Sequence, residues 1–281
     1  MFQRIQPSAT RRSEFTLGIM AAQLEEIAAD NACTLLDNHS MAIAFRQMDF
    51  NVVGARRSLI DQHDLMRQFI AYTLMYRITT GTDGADVIEF GVYLRNKKNG
   101  EVKLATNYSM GIGGHVEATD IVYYMLADDQ GLPSKSESNE IDVAATIDNS
   151  CFREFCEEVT VTGTEDDNHF YQPLGFVMDS TDTKGYVGNT HVGLLYAIDM
   201  PADADFEMAE DINDRIGWFT PEGIKAFDLG PFEPWSVMVQ ARIDEIAREL
   251  LNTRKSRIIL NATGLDTAVE LDLLKGVLSA V

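Results

Sequence analysis

Cysteine is scarce in this sequence, and basic residues are far outnumbered. Of 281 residues only Cys33, Cys151 and Cys156 are cysteines, and no Cys-x-x-Cys spacing occurs. That argues against a disulfide framework or a structural zinc site and fits a reducing compartment. Lys and Arg total 23 against 44 Asp and Glu, a formal net charge of −21. Binding to a phosphate backbone needs a basic footprint, so duplex nucleic acid is not an expected partner. No apolar run approaches the ~20 residues that span a bilayer. Met1 to Ser13 carries Arg4, Arg11 and Arg12, with no apolar stretch of signal-peptide type behind them. A cytoplasmic protein without a membrane partner is therefore expected. A small anionic ligand stays open if a local basic patch or a metal ion bridges it.

What is present is ordinary for a globular chain of one or two domains, with 45% hydrophobic and 24% charged residues. Residues 1–66 read as a mostly helical N-terminal extension. Leu17, Met20, Leu24, Ile27 and Ala28 recur at helical steps within Phe15–Leu36. From residue 69 the texture changes to β-branched and aromatic runs. Strands are expected over 69–78, 87–95, 102–104, 174–178, 191–198 and 216–220. Helices are expected over 144–159 and 233–251. Strands mixed with helices in this way indicate an α/β or α+β sandwich around a mixed sheet. Residues 120–140 read as a polar, loop-like insertion, and 253–281 as a short tail ending in an apolar helical pattern.

The residues with chemical content are Arg153-Glu154-Phe155-Cys156-Glu157-Glu158. On a helix at ~100° per residue, with Glu154 at zero, Glu157 falls near 300° and Glu158 near 40°. Phe152, Phe155, Cys156 and Val159 fall between roughly 100° and 200°, a separate apolar face. Three like charges at i, i+3 and i+4 repel one another, and a hard divalent cation, Mg²⁺ or Mn²⁺, would offset that repulsion. Taken alone, such a string is more often a solvated acidic face. It does not stand alone. Ser109-Met-Gly-Ile-Gly-Gly-His-Val-Glu117 places a glycine turn where a backbone could approach a ligand closely.

Together these residues resemble the box of the Nudix hydrolases: Gly, five residues, Glu, seven residues, then Arg-Glu-apolar-x-Glu-Glu-x-Gly-apolar. Gly114, Arg153, Glu154, Phe155, Glu157, Glu158 and Val161 match it. The segments around Gln68–Tyr72, Tyr93–Arg95, Ser109–His115, Thr190–Leu194 and Phe232–Ser236 are similar to the subgroup called predicted phosphoesterases. The resemblance spans about residues 60–245 and makes 67–252 a Nudix-like domain of α/β/α sandwich type. Arg153 lies 39 positions after Gly114 where the pattern has fourteen, an excess of 25 that coincides with the insertion. The box glutamate is missing: counting from Gly114 reaches Asp120, and counting back from Arg153 reaches Ala145. Thr160 replaces the late glycine.

The resemblance implies hydrolysis of a nucleoside diphosphate linked to another moiety, with water attacking phosphorus. It makes Glu154, Glu157, Glu158 and the backbone carbonyl of Gly114 metal ligands and Arg153 the group that orients them. Gly113, Gly114, His115 and Arg95 are then candidates for contact with substrate. Arg67 and Lys103 lie near the expected sheet but are more often simply exposed. The general base is open among the helix glutamates and the later acids Asp179, Asp182 and Glu222. Cys151 and Cys156 are expected to be buried rather than nucleophilic. The insertion is expected to act as a lid, with Tyr123 or Tyr124 over a base. Equally, Ile121–Leu126 could be a buried helix or the contact of a homodimer. The altered box leaves an alternative, a catalytically weak nucleotide-binding or sensor module on the same fold.

Overall fold

The structure is a computed structural model and describes residues 15–25, 27, 32–49, 51–56, 66–95, 107–127, 133–163, 170–179, 190–209 and 213–263. Its centre is one mixed sheet. The main path runs β14 (Asn213–Phe219), β5 (Asp86–Arg95), β4 (Met66–Thr80), β12 (His191–Met200), β11 (Phe170–Met178) and β2 (Ala32–Leu35). β12 pairs with β4 in parallel, His191 opposite Gln68 and Met200 opposite Arg77, and the neighbouring pairs are antiparallel. β4 and β12 are buried along almost their whole length because helices cover both faces.

One face carries α2 (Asn38–Asp49) and α3 (Val143–Glu158). Met41, Phe45 and Met48 of α2 and Val143, Ile147 and Cys151 of α3 pack with Phe69, Ala71, Phe176 and Leu194 of the sheet. Residue alternation along β4 sends Tyr72 to the other face, where α5 (Pro234–Gln240) follows the short α4 (Pro221–Lys225). Tyr72 meets Trp235 edge to face there, at 5.3 Å between ring centres. This is the expected α/β/α sandwich.

Several expectations are corrected. Phe15–Leu36 is not one amphipathic helix. It contains β1 (Phe15–Met20), the single turn α1 (Ala21–Leu24) and β2. Phe-Thr-Leu-Gly-Ile has strand composition, and Gly18 would weaken a helix interior. A Cβ on Gly18 would lie 2.1 Å from the Arg67 carbonyl oxygen, so the glycine lets β1 pair with β4. β1 also pairs with β3 (Val52–Arg56), so the described part of 1–66 contributes strands to the main sheet and is not mostly helical. The described part of 120–140 is no loop either: β8 (Tyr123–Ala127) and β9 (Pro133–Ile141) pair antiparallel as a hairpin. Val-Tyr-Tyr-Met-Leu126 has the β-branched and aromatic character of a strand, so it is neither loop nor helix. The expected helix 233–251 is broken between α5 and α6 (Ile243–Thr263). Compact units divide at that break, one ending at Ala241 and the other beginning at Arg242. Within the second, Ile243, Ile246, Ala247 and Leu250 form a buried stripe at helical spacing. The expected strand 102–104 and the apolar pattern 271–281 lie outside the described residues.

Candidate functional site

After β5 the chain reaches β6 (Tyr108–Ser109) and β7 (Gly111–Ile112), which pair with β5 and β4. It then runs beside β4 through the glycine turn. Ala71 N–H donates to Gly114 O at 3.0 Å, and Val116 N–H to Phe69 O at 3.1 Å. Gly113 is required by space, and Gly114 lies close against a side chain. A Cβ on Gly113 would lie 1.5 Å from Ala71 O, and one on Gly114 would lie 2.2 Å from Glu154 Oε1. One lone pair of the Gly114 carbonyl is committed to Ala71, and the other is left for a ligand.

α3 begins at the N-cap Asp142, whose Oδ1 accepts from Ala145 N–H at 3.0 Å. Its buried residues Val143, Thr146, Ile147, Ser150, Cys151 and Phe155 form one stripe. On the same wheel Ile147 falls near 20° and Cys151 near 60°, so Glu154 continues that stripe rather than opposing it. The separate apolar face read from the sequence is corrected in this respect: Phe152 is 41% exposed and Cys156 is exposed, while Glu154 turns inward. Burial raises the Glu154 carboxyl to about 7; Arg153 opposes that rise, and the Glu157 and Asp120 charges reinforce it. The Cys151 thiol is pushed far above its ordinary range by burial, and no nucleophilic role attaches to it.

Arg153 is the hub. Its Nε donates to Asp120 Oδ1 at 2.8 Å and its Nη2 to Asp120 Oδ2 at 2.9 Å, a bidentate pair. Nη2 also reaches His115 O at 2.9 Å. Nη1 donates to Glu154 Oε1 at 2.7 Å and to Glu157 Oε2 at 3.2 Å. Burial lowers the guanidinium pKa, but the Asp120 and Glu154 partners outweigh it and hold it above the ordinary arginine value. Asp120 is 3% exposed and closes a short 3₁₀ turn, Ala118–Asp120. The box glutamate is absent, and Asp120, one methylene shorter and six positions after Gly114, is the carboxylate that pairs with Arg153. The inserted hairpin follows it.

His115 carries a second contact. Its Nε2 lies 2.9 Å from Nε2 of His191, whose Nδ1 is 2.9 Å from Thr190 Oγ1. The sequence alone does not join the two segments, because the pairing depends on the parallel register of β12 on β4.

The structure thus brings Gly114, His115, Arg153, Glu154, Glu157 and, unforeseen, Asp120 together. Glu158 stands at the end of α3, close enough to Tyr93 that its charge helps raise the phenol pKa, behind burial and against Arg95. Arg95 is 28% exposed and pairs with Glu233 at 3.2 Å. Arg67 has Nη1 buried without a hydrogen-bond partner among the described residues. Glu222 is 79% exposed beside Lys225. Lys103 and Asp182 lie outside the described residues. The donor types fit a hard divalent cation, and the desolvated Glu154 carboxylate would gain from one. Among the described residues no three His, Cys, Asp or Glu side chains are gathered as a ready metal cage. Arg153 holds Glu154 and Glu157 instead.

No family model matches the chain, and no curated protein matches it in sequence. Solved structures do match. The crystal structure of Tm1382, described there as a candidate Nudix hydrolase, superposes with a TM-score of 0.55 at 18% identity, covering 83% of this chain and 100% of that one. A mutT/nudix family protein from Listeria innocua aligns over 66% of this chain and 96% of its own at 15% identity, with a TM-score of 0.37. A third, described as a NUDIX hydrolase from Listeria monocytogenes, aligns over 62% and 94% at 13% identity, with a TM-score of 0.28. The last two superpose too loosely to support any argument. The first establishes the fold: this chain has a Nudix fold.

Proposed function

We propose that this chain hydrolyses a phosphoanhydride bond in a nucleoside diphosphate linked to another moiety, such as a nucleotide sugar, a dinucleotide or an ADP-ribose-like compound. Mg²⁺ or Mn²⁺ would be held by Glu154, Glu157, Glu158 and the free lone pair of the Gly114 carbonyl. The observation that supports this best is the Arg153 hub, which draws the glycine turn and two of the helix carboxylates to one point. When bound, the cation supplies charge for the phosphoryl oxygens and lowers the pKa of a bound water.

The chain's own residues do the rest. Asp120 fixes the guanidinium plane, and the guanidinium in turn aims Glu154 and Glu157. Gly113 lets the turn lie against the Ala71 backbone of β4, and Gly114 lets it lie against the Glu154 carboxylate. His115 beside the turn and the part-exposed Arg95 are the groups offered to the substrate. Hydrogen bonds to developing negative charge are strongest when the donors are already in place.

The alternative, a nucleotide sensor that does not cleave, draws its support from the altered box: the 25-residue excess, Thr160 for the late glycine and the missing glutamate. The Asp120–Arg153 pair weakens only the last of these. The test is hydrolysis of NAD, ADP-ribose, dinucleoside polyphosphates, capped RNA and nucleoside triphosphates with Mg²⁺ and with Mn²⁺. Cleavage of at least one at a phosphoanhydride bond is expected. Tight binding without cleavage of any would favour the sensor.

A further inference from the structure

The glycine turn is gripped from the α5 side of the sheet by a buried carboxylate to which the proposed chemistry assigns no role. Glu233 is 4% exposed. Its Oε1 accepts from Tyr72 Oη at 2.8 Å and Ser109 Oγ at 2.6 Å, with Ser236 Oγ at 3.3 Å. Its Oε2 faces Arg95 Nη1 at 3.2 Å. Ser236 Oγ accepts the Met110 N–H at 3.0 Å. Ser109 Oγ lies 3.3 Å from the Gly111 nitrogen, and Tyr93 Oη donates to Gly111 O at 2.6 Å. A Cβ on Gly111 would lie 2.2 Å from the Tyr72 ring. Residues 109–111 are therefore held by side chains from β4, β5 and α5. Gly113 and Gly114 follow at once, and Gly114 touches the Glu154 carboxylate.

Stability alone does not call for this arrangement, since well-packed apolar groups of similar volume often serve as well as a buried ion pair. What a fully partnered polar node adds is a unique position for the backbone it holds. Its residues are the Glu233 and Ser236 of Phe232-Glu-Pro-Trp-Ser236 and the Ser109 that opens the glycine segment, two sequence features that the proposed site does not use.

We infer that Glu233 is a positioning residue that fixes the 109–114 backbone and so sets where Gly114 stands against Glu154. This rests on the proposed reading of Glu154, Glu157 and Glu158 as a cation site. Glu233 is not placed against substrate; it acts on the site through this backbone, and its pair with Arg95 does not enter a test with Mn²⁺ alone.

The test uses the full chain, with Mn²⁺ alone as the probe. Amide hydrogen exchange is followed at Met110 and Gly111, and Mn²⁺ affinity by electron paramagnetic resonance, in wild type, Glu233→Gln and the milder Ser236→Ala. Asp205→Asn is the control for a merely structural loss, because it disturbs a polar cluster with Arg215 and Trp218 that makes none of the node's hydrogen bonds. Exchange at both amides should quicken about ten-fold in Glu233→Gln, and the Mn²⁺ Kd should rise about 10- to 100-fold, the range seen when groups supporting a metal site are removed. Ser236→Ala should move both the same way by less, and it decides the matter if Glu233→Gln does not fold. Asp205→Asn should move neither. Unchanged exchange, or faster exchange with wild-type Mn²⁺ affinity, overturns the inference while leaving the cation site standing. If wild type binds no Mn²⁺, the cation site itself fails and this inference falls with it.

Discussion

Arg153 and Asp120 meet through two parallel hydrogen bonds of 2.8 and 2.9 Å, although 33 positions and a β-hairpin separate them in the chain. The hairpin leaves the chain after Asp120 and rejoins it at Asp142, so the carboxylate keeps its place beside the helix arginine. Without Asp120, Arg153 keeps Glu154 and Glu157, so its charge is not stranded and the cost is that of hydrogen bonds to a charged group, about 1.5–3 kcal/mol. Asp120→Ala should lose stability of that order in urea unfolding. A loss under about 1 kcal/mol would show that water or Glu157 compensates the arginine fully.

Gly113 and Gly114 should respond differently to alanine. At Gly113 the new methyl would strike backbone at Ala71, which cannot move without breaking the ladder. At Gly114 it would strike only the end of the Glu154 side chain, which can swing away. Gly113→Ala should therefore unfold at markedly lower temperature. Gly114→Ala should keep most of its Tm and lose Mn²⁺ affinity. Equal Tm losses in the two variants would contradict this geometry.

Burial raises Glu154 from 4.5 to about 7 against the opposing pull of Arg153. A carboxyl with a raised folded pKa favours the folded state fully below its unfolded pKa, and that contribution is lost as pH climbs through the folded one. Glu154→Gln has no such loss. With EDTA present, the Tm of the variant minus that of wild type should grow as pH rises from about 5 to about 8. A difference that stays constant across that window contradicts the assignment.

The hairpin is tied at its base. Tyr124 Oη donates to Asp49 Oδ2 at 2.6 Å, and Asp49 Oδ1 accepts the Val143 N–H that opens α3 at 3.0 Å. Val122 N–H donates to Thr146 Oγ1 at 2.9 Å. Trimming beyond this anchor should spare the fold. Replacing 127–139 by a short Gly-Ser linker should change KM or substrate choice with Tm nearly kept. Unchanged kinetics on every substrate would deny the hairpin any part in recognition.

The strands and α3 were legible because their patterns are local: β-branched runs for β4, β5 and β12, and a two-turn carboxylate string for α3. What was not legible depends on distant partners. Phe15–Met20 has apolar residues at helical steps, yet Gly18 fits only against the backbone of β4. Asp120 stands at the right count from Gly114, but nothing in one sequence says that Arg153 folds back onto it. His191 and Glu233 show no role in the sequence alone, because their partners, His115 and Ser109, arrive through sheet register and the placement of α5. Cys156 was expected inside, but the inward face of α3 is the one Glu154 shares.

Glu157 decides the central claim. It is 53% exposed, so Glu157→Gln should leave the fold and the metal-free Tm intact, while removing a charge from the proposed cation site. The direct measurement is Mg²⁺-dependent release of phosphate-containing product from the best substrate of the screen, wild type beside Glu157→Gln, at matched protein and metal concentration. Loss of several kcal/mol of charge stabilisation predicts a fall of at least ~100-fold in kcat/KM. Turnover in Glu157→Gln equal to wild type, with metal still required, would contradict the assignment of the α3 carboxylates to the metal.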